Sequence, residues 1–232
     1  MKFQSLIAAA LMFMAANSQA ALIHQFDLNG NLKDAKGGKD LATFQGGILG
    51  PTGFSFSGNK GLKLEDKLGG EYSIDMSFKL DLFLNYSRIL NFKGGSGDAG
   101  FYAAGNAFYL YPANVGVGGN LEAGKYSHVT VTRDADKNFK VYQEGKLVYN
   151  YLDTAGITDF ELNDAIFFRD DGGDAPTGAV DYINIYNHSL SQAEVNSLNG
   201  IANLPEPASM GLVGAGLALL GWTRRRKPQA AA

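Results

Sequence analysis

The side chains that could do chemistry in this sequence are carboxylates, amides, imidazoles and phenols, because cysteine is absent. Thiol nucleophiles and cysteine-ligated zinc or iron sites are therefore excluded. The three histidines, His24, His128 and His188, stand far apart, and no His-Glu-x-x-His or similar metal-ligand spacing occurs. Asp134-x-Asp136-x-Asn138 opens like a helix-loop-helix calcium loop, but Phe139 stands where that loop needs glycine and Gly145 where it needs a bidentate glutamate. It reads as a hairpin tip. The alternating Glu-x-Asp-x-Glu of a sheet-borne glycosidase is also missing, and Glu161-Leu162-Asn163-Asp164 does not supply it. Asp170-Asp171-Gly172-Gly173-Asp174 is open to two readings, a solvated turn or a cation loop. Aromatic binding chemistry is better represented. Tyr102, Tyr109 and Tyr111 lie close together beside the glycine-rich stretch Gly94 to Gly97. Such rings stack on the apolar faces of sugars while neighbouring polar groups fix orientation.

The elements that must position these residues are strands. From Tyr72 to Leu84, Ile74, Met76, Phe78, Leu80, Leu82 and Leu84 alternate with mostly polar residues, a period of two that no amphipathic helix presents. His128 to Arg133 and Phe139 to Tyr142 alternate likewise around the 134–138 tip. Shorter apolar runs at Leu22 to Leu28, Phe54 to Phe56, Phe108 to Tyr111, Leu147 to Tyr151, Ile166 to Phe168 and Val180 to Tyr186 are separated by Gly, Asn and Asp turn signals. One short helix is expected near residue 195, where Ser191 and Glu194 form a capping-box pattern flanked by Leu190 and Val195 as a hydrophobic staple. The pattern predicts an all-β fold, an antiparallel sandwich closed by one C-terminal helix.

Both ends carry export signals. Lys2, the apolar Leu6 to Ala16 and the small-x-small Ser18-Gln19-Ala20 make a secretory signal peptide over residues 1–20. At the other end, Pro205-Glu206-Pro207 keeps the chain extended. An uncharged run from Met210 to Trp222 and the basic cluster Arg224, Arg225, Arg226 and Lys227 follow. As a helix that run spans ~20 Å, short of the ~30 Å bilayer core. The ends hold five of the 20 basic residues and one of the 23 acidic ones, so the domain at 21–203 carries a net charge of about −7. That balance disfavours nucleic acid and anionic lipid surfaces as partners, since both need concentrated positive charge.

The order of Pro-Glu-Pro, short apolar segment and basic tail over residues 204–232 resembles the PEP-CTERM sorting signal of Gram-negative bacteria. The resemblance implies export by the Sec machinery, a transient inner-membrane intermediate, recognition by exosortase, and delivery to the cell surface or extracellular matrix. A second resemblance covers the domain between the ends. Phe26 to Asp34 (FDLNGNLKD), Tyr126 to Arg133 (YSHVTVTR), Val141 to Val148 (VYQEGKLV), Gly178 to Tyr186 (GAVDYINIY) and Leu190 to Val195 (LSQAEV) are similar, in order, to the laminin-G-like, concanavalin A-like jelly-roll domains. Tyr126 replaces that family's usual tryptophan. The resemblance implies a jelly-roll β-sandwich and a structural calcium, for which Asp34, Asp181 and Asn29 are the candidate ligands. Whether Asp181 faces inward depends on parity: Ile183 and Ile185 facing the core would carry it in, whereas Val180 and Tyr182 facing the core would leave it exposed. Together the two resemblances imply a non-catalytic, lectin-like surface protein that binds exopolysaccharide or another surface glycan. A polysaccharide hydrolase or lyase, or a purely structural matrix protein, are the alternatives.

Overall fold

The structure is a computed structural model that describes residues 20–116, 118–170 and 172–200. The predicted signal peptide up to residue 19 and the sorting signal, including Pro205, Glu206, Pro207 and the basic cluster, lie outside the described residues. Among the described residues no helix is long and apolar enough to cross a membrane.

The long alternating run forms the central strand it predicts. In chain order the strands are β1 (Leu22–Phe26), β2 (Ala42–Thr43), β3 (Ile48–Gly50), β4 (Gly53–Phe56), β5 (Leu62–Leu64), β6 (Tyr72–Leu80), β7 (Ser87–Asn91) and β8 (Gly100–Ala104). They continue with β9 (Ala107–Tyr111), β10 (Val115–Gly116), β11 (Ser127–Arg133), β12 (Asn138–Gln143), β13 (Lys146–Leu152), β14 (Ala165–Phe167) and β15 (Gly178–Tyr186), before helix α1 (Gln192–Leu198). One antiparallel sheet has the order β13-β12-β11-β6-β15-β4-β3, with β1 pairing on β15. The second, also antiparallel, runs β10-β9-β8-β7-β14-β5-β2. Consecutive strands change sheets repeatedly, so most of the core is made by residues remote in sequence.

Ile74, Met76 and Phe78 of β6 are wholly buried between the sheets with Val129, Val131, Val141, Phe101, Phe108, Phe139 and Phe167. The alternation outruns the strand, however: Leu82 and Leu84 are 47% and 37% exposed. The chain leaves the sheet at Asp81, whose N–H donates to Thr177 O, and the residues beyond have no partner strand to hold their parity.

The parity question at Asp181 is answered by a bulge. Register on β6 shifts between Val180 and Tyr182, so Val180, Ile183 and Ile185 all reach the core and Asp181 is the extra residue. The hairpin tip and the helix form as the sequence indicates. Asp134 Oδ1 accepts Asn138 N–H at 2.8 Å across the tip. The Ser191–Glu194 capping box is reciprocal, and Leu190 and Val195 pack with Tyr142 and Tyr186 on the outer face of the first sheet.

Candidate functional site

The tyrosines singled out by their spacing come together on the outer face of the second sheet. In β8 and β9 the residues Phe101, Ala103, Phe108 and Leu110 point into the core, so strand parity turns Tyr102, Tyr109 and Tyr111 outward. Register places Tyr102 directly opposite Tyr109 on one side and Arg88 of β7 on the other. A bulge between Arg88 and Leu90 sets that arrangement, letting Ile89 and Leu90 both enter the core while Arg88 stays on the outer face. Arg88, Tyr102 and Tyr109 thus form a row across three strands.

Around this row lies a pocket of about 460 Å³, lined by Tyr86, Asp98, Tyr102, Tyr109, Tyr111, Asn114, Asp170, Gly172, Gly173 and Asp174. That volume lies within the usual range for small-ligand sites. Tyr86 stands near Tyr109 and Tyr102, with ring centroids 5.4 and 6.2 Å away. Tyr109 OH donates to Asn114 Oδ1 at 2.8 Å, which orients its ring. The floor needs a glycine at 100, because a Cβ there would lie 2.8 Å from Leu90 O and 3.0 Å from the Tyr102 ring.

Arg88 is completely buried beneath this aromatic layer. Its Nε donates to Tyr102 OH at 2.6 Å and Nη1 to Gly97 O at 3.2 Å, and Nη2 lies 3.3 Å from Asp98 and 2.8 Å from Asp170. The guanidinium also sits over the Tyr102 ring, 5.0 Å from its centroid. Tyr102 OH in turn donates to Asp98 O at 2.7 Å. Burial pushes the Tyr102 phenol well above its usual range against the opposing charge of Arg88, so its hydroxyl stays a donor. Burial and the neighbouring phenols Tyr86 and Tyr111 also raise Tyr109.

Asp170 is an organiser of this floor. Besides its ion pair with Arg88, its Oδ2 accepts the N–H groups of Gly172 and Asp174, and its own N–H donates to Asn59 Oδ1. Arg88 N–H donates to Asp174 O, tying this loop to β7. The reading of this loop as a cation site does not hold for Asp170, whose carboxylate already serves a guanidinium and two amides. Tyr86, Arg88, Asp98 and Asn114 were not apparent from sequence, and Asp170 and Asp174 were read as a turn or cation loop and not as part of an aromatic pocket. The one available signal was Arg88 itself, a charged residue beside the apolar pair Ile89-Leu90 in the short strand Ser87-Arg88-Ile89-Leu90-Asn91.

The expected calcium ligands do not converge. Asp34 is nearly buried and accepts from His24 Nδ1 at 2.8 Å and from the N–H groups of Gln25, Lys36 and Gly38, each at 2.9 Å. Burial raises its pKa, but these hydrogen bonds outweigh burial and hold it below the usual carboxylate value. Both oxygens of Asp34 are therefore used in fixing the opening loop. Asn29 and Asp181 do meet, in a shallow cleft of about 270 Å³ with Asp27, Tyr182 and Asn184, and Asp34 is not part of it. Among the described residues no group of three or more His, Cys, Asp or Glu side chains is placed to hold a metal. The structure thus places Asn29 and Asp181 in one cleft and Asp34 in another setting, so the three are not brought together as one ligand set.

Two further clefts carry less recognition chemistry. One of about 400 Å³ has Tyr126 as its only tyrosine, with Lys60, Lys79 and Asp81. The other, about 390 Å³, is lined by Asn120, Glu122, Lys125, Tyr126, Ser127, Gln143 and Glu144. Neither has the four-ring wall of the Arg88 pocket.

Comparison with known proteins agrees with this architecture. The PEP-CTERM protein-sorting motif matches residues 203–227, and it marks an exported protein. Comparison with curated protein sequences gives no match. Among solved structures, the sialidase of Trypanosoma rangeli is similar with a TM-score of 0.64 at 20% identity, over 77% of this chain and 32% of that one. Domain 4 of AbnA, an extracellular arabinanase of Geobacillus stearothermophilus solved with arabinotriose, is similar with a TM-score of 0.53 at 17% identity, over 78% of this chain and 99% of that one. The binding domain of botulinum neurotoxin serotype D is similar with a TM-score of 0.58 at 15% identity, over 77% of this chain and 51% of that one. This chain thus spans about a third of the sialidase, and at these identities the likeness concerns the fold. The family profile described as the concanavalin A-like lectin/glucanases superfamily matches residues 57–196, more than half of the chain, and the protein belongs to that family.

Proposed function

We propose that this is a surface or matrix protein, released through exosortase processing of its sorting signal, whose single domain binds a glycan in the tyrosine-lined pocket above Arg88. The observation that carries this reading is the cross-strand row Arg88–Tyr102–Tyr109, with Tyr86 and Tyr111 completing an aromatic wall. Ring faces supply apolar contact to a pyranose or furanose, and Asp98, Asn114 and Asp174 supply hydrogen-bond partners at its rim. An exported protein with this fold meets such ligands outside the cell. The similar arabinanase domain, solved with arabinotriose, is in line with that ligand class.

Binding, not turnover, is the chemistry that these contacts favour. Asp170 is held by Arg88 and two backbone amides, and Tyr102 OH is hydrogen-bonded on both its donor and acceptor sides. Groups fixed in this way position a ligand but do not exchange protons with it readily. The test is titration of the full chain against a glycan panel that includes the exopolysaccharide of its own cells, with calcium and with chelator. Saturable binding that survives chelation and is lost in Tyr86→Ala/Tyr109→Ala is expected. Binding untouched by that double substitution would refute the pocket, and shortened glycan products would turn the reading to a hydrolase or lyase.

A further inference from the structure

We infer that the pocket selects glycans bearing free amino groups and rejects acidic ones; this rests on the glycan-binding reading and adds the ligand's charge. Asp98, Asp170 and Asp174 line the pocket, and among the described residues no Lys, Arg or His lines it. The cation nearest to hand, Arg88, is wholly buried, and its guanidinium already contacts Tyr102 OH, Gly97 O, Asp98 and Asp170. Asp170 is 3% exposed and paired with that guanidinium, so the negative charge presented at the mouth is that of Asp98. Asp98 is the carboxylate best placed to meet a ligand, because its side chain is 65% exposed while also approaching Arg88.

Two further terms have the same sign. The faces of Tyr86, Tyr109 and Tyr111 carry the negative part of the ring quadrupole, which attracts ammonium groups and the electron-poor C–H faces of sugars. The domain between the two terminal signals is also net acidic by about seven charges, so its long-range field repels polyanions before contact. A uronate or sialate carboxylate docked on the tyrosines would face Asp98 with no cation among the described lining residues to answer it, which is how a site excludes a ligand of the wrong sign. A hexosamine lacking its N-acetyl group would place an ammonium beside the Asp98 carboxylate while its ring lay on the aromatic wall. The ligand class is therefore a polysaccharide of partly or fully de-N-acetylated hexosamine. The fold is shared with a sialidase, but the charge of this pocket opposes sialic acid.

The experiment measures binding of the full chain to oligosaccharides of equal length: β-1,4-glucosamine, its N-acetylated form, the corresponding glucose oligomer, and oligogalacturonate. The glucosamine oligomer should bind about tenfold more tightly than its N-acetylated form at low salt. That advantage should shrink in about 0.5 M salt, and the uronate should not bind. Asp98→Asn should lower the glucosamine affinity roughly fivefold more than it lowers that of the neutral oligomers, whose rim hydrogen bond it also alters. Tyr109→Ala should weaken the amino and neutral oligomers together. Equal or tighter binding of the uronate, or an amino preference that persists in Asp98→Asn, would overturn the charge inference and leave the glycan site standing. An amino preference unaffected by Tyr109→Ala would assign the attraction to general surface charge and also overturn it. Failure of all four to bind would overturn the glycan-binding reading itself.

Discussion

Two buried arginines sit among the described residues of this sandwich, and they differ in what lies above them. Arg133 of β11, 3% exposed, is enclosed by protein on every side that its contacts define. Its Nε donates to Thr158 Oγ1 at 3.1 Å and lies 3.4 Å from Asp153, and Nη1 donates to Gly70 O. Asp153 accepts from Ile157 and Thr158, and Tyr72 OH donates to Thr158 O at 2.7 Å. None of these groups lines a described cleft. Arg88 of β7 is just as buried and as well partnered, yet four of the groups that share its floor, Tyr102, Asp98, Asp170 and Asp174, open onto the pocket. The same device, a guanidinium held by carboxylate, carbonyl and hydroxyl, is a closing knot in one place and a platform in the other. Burial of a charge alone does not mark a site; an unfilled, aromatic space above it does.

Substitution separates the two roles. The largest effect is expected from Arg133→Met, which strands Asp153 in the interior and should lower unfolding stability by about 3–5 kcal/mol, read by urea denaturation. The molecules that remain folded should bind glycan as before. Arg88→Met should cost about 3 kcal/mol by the same argument for Asp170, but it should also abolish binding under conditions where circular dichroism shows an intact fold. Loss of binding in the Arg133 variant, or its retention in the Arg88 variant, would break the distinction. Tyr109→Ala removes one ring from the wall and should weaken binding about tenfold, with a stability change within about 0.5 kcal/mol.

The smallest effect is a pH dependence away from both arginines. His128 bridges Asp75 and Asn199, 2.5 Å from each, on the face covered by α1. Burial lowers its pKa, but the hydrogen bond and charge of Asp75, then Asn199 and Glu144, outweigh this and leave it raised. A raised pKa gives stability that is complete below the unfolded value of about 6.5 and fades as pH climbs through the folded one. The thermal midpoint should therefore fall between about pH 6 and pH 8, and His128→Gln should flatten that slope. Asp153, lowered because its hydrogen bonds and Arg133 outweigh burial, acts in the opposite sense. Its contribution is present above its ordinary pKa of 3.8 and is lost as pH falls through the lowered one.

What the sequence disclosed follows from which contacts are local. Tyr102, Tyr109 and Tyr111 were legible as a group because β8 and β9 are neighbours in sequence and in the sheet. The long period of two in β6 and the capping box at Ser191 were legible for the same reason. The floor of the pocket was not, since it joins residues 86–88, 98–102, 109–114 and 170–174, segments brought together only by the crossing of strands between two sheets. Bulges hid the rest. At Asp181 and at Ile89 a single extra residue reverses strand parity, so a strict alternation places Asp181 and Arg88 incorrectly. Asp34 was recognised as special, but its role could not be read until His24 and three amides were seen to occupy it.

The central claim concerns where a ligand sits, and a crystal structure of the full chain soaked with whichever panel glycan binds it tests that most directly. The account predicts a sugar ring stacked on Tyr109 and Tyr86, above the buried Tyr102, with polar contacts to Asp98, Asn114 or Asp174. A sugar seated instead in the Asp27–Asn29–Asp181 cleft, or beside Tyr126, with the Arg88 pocket empty, would contradict it.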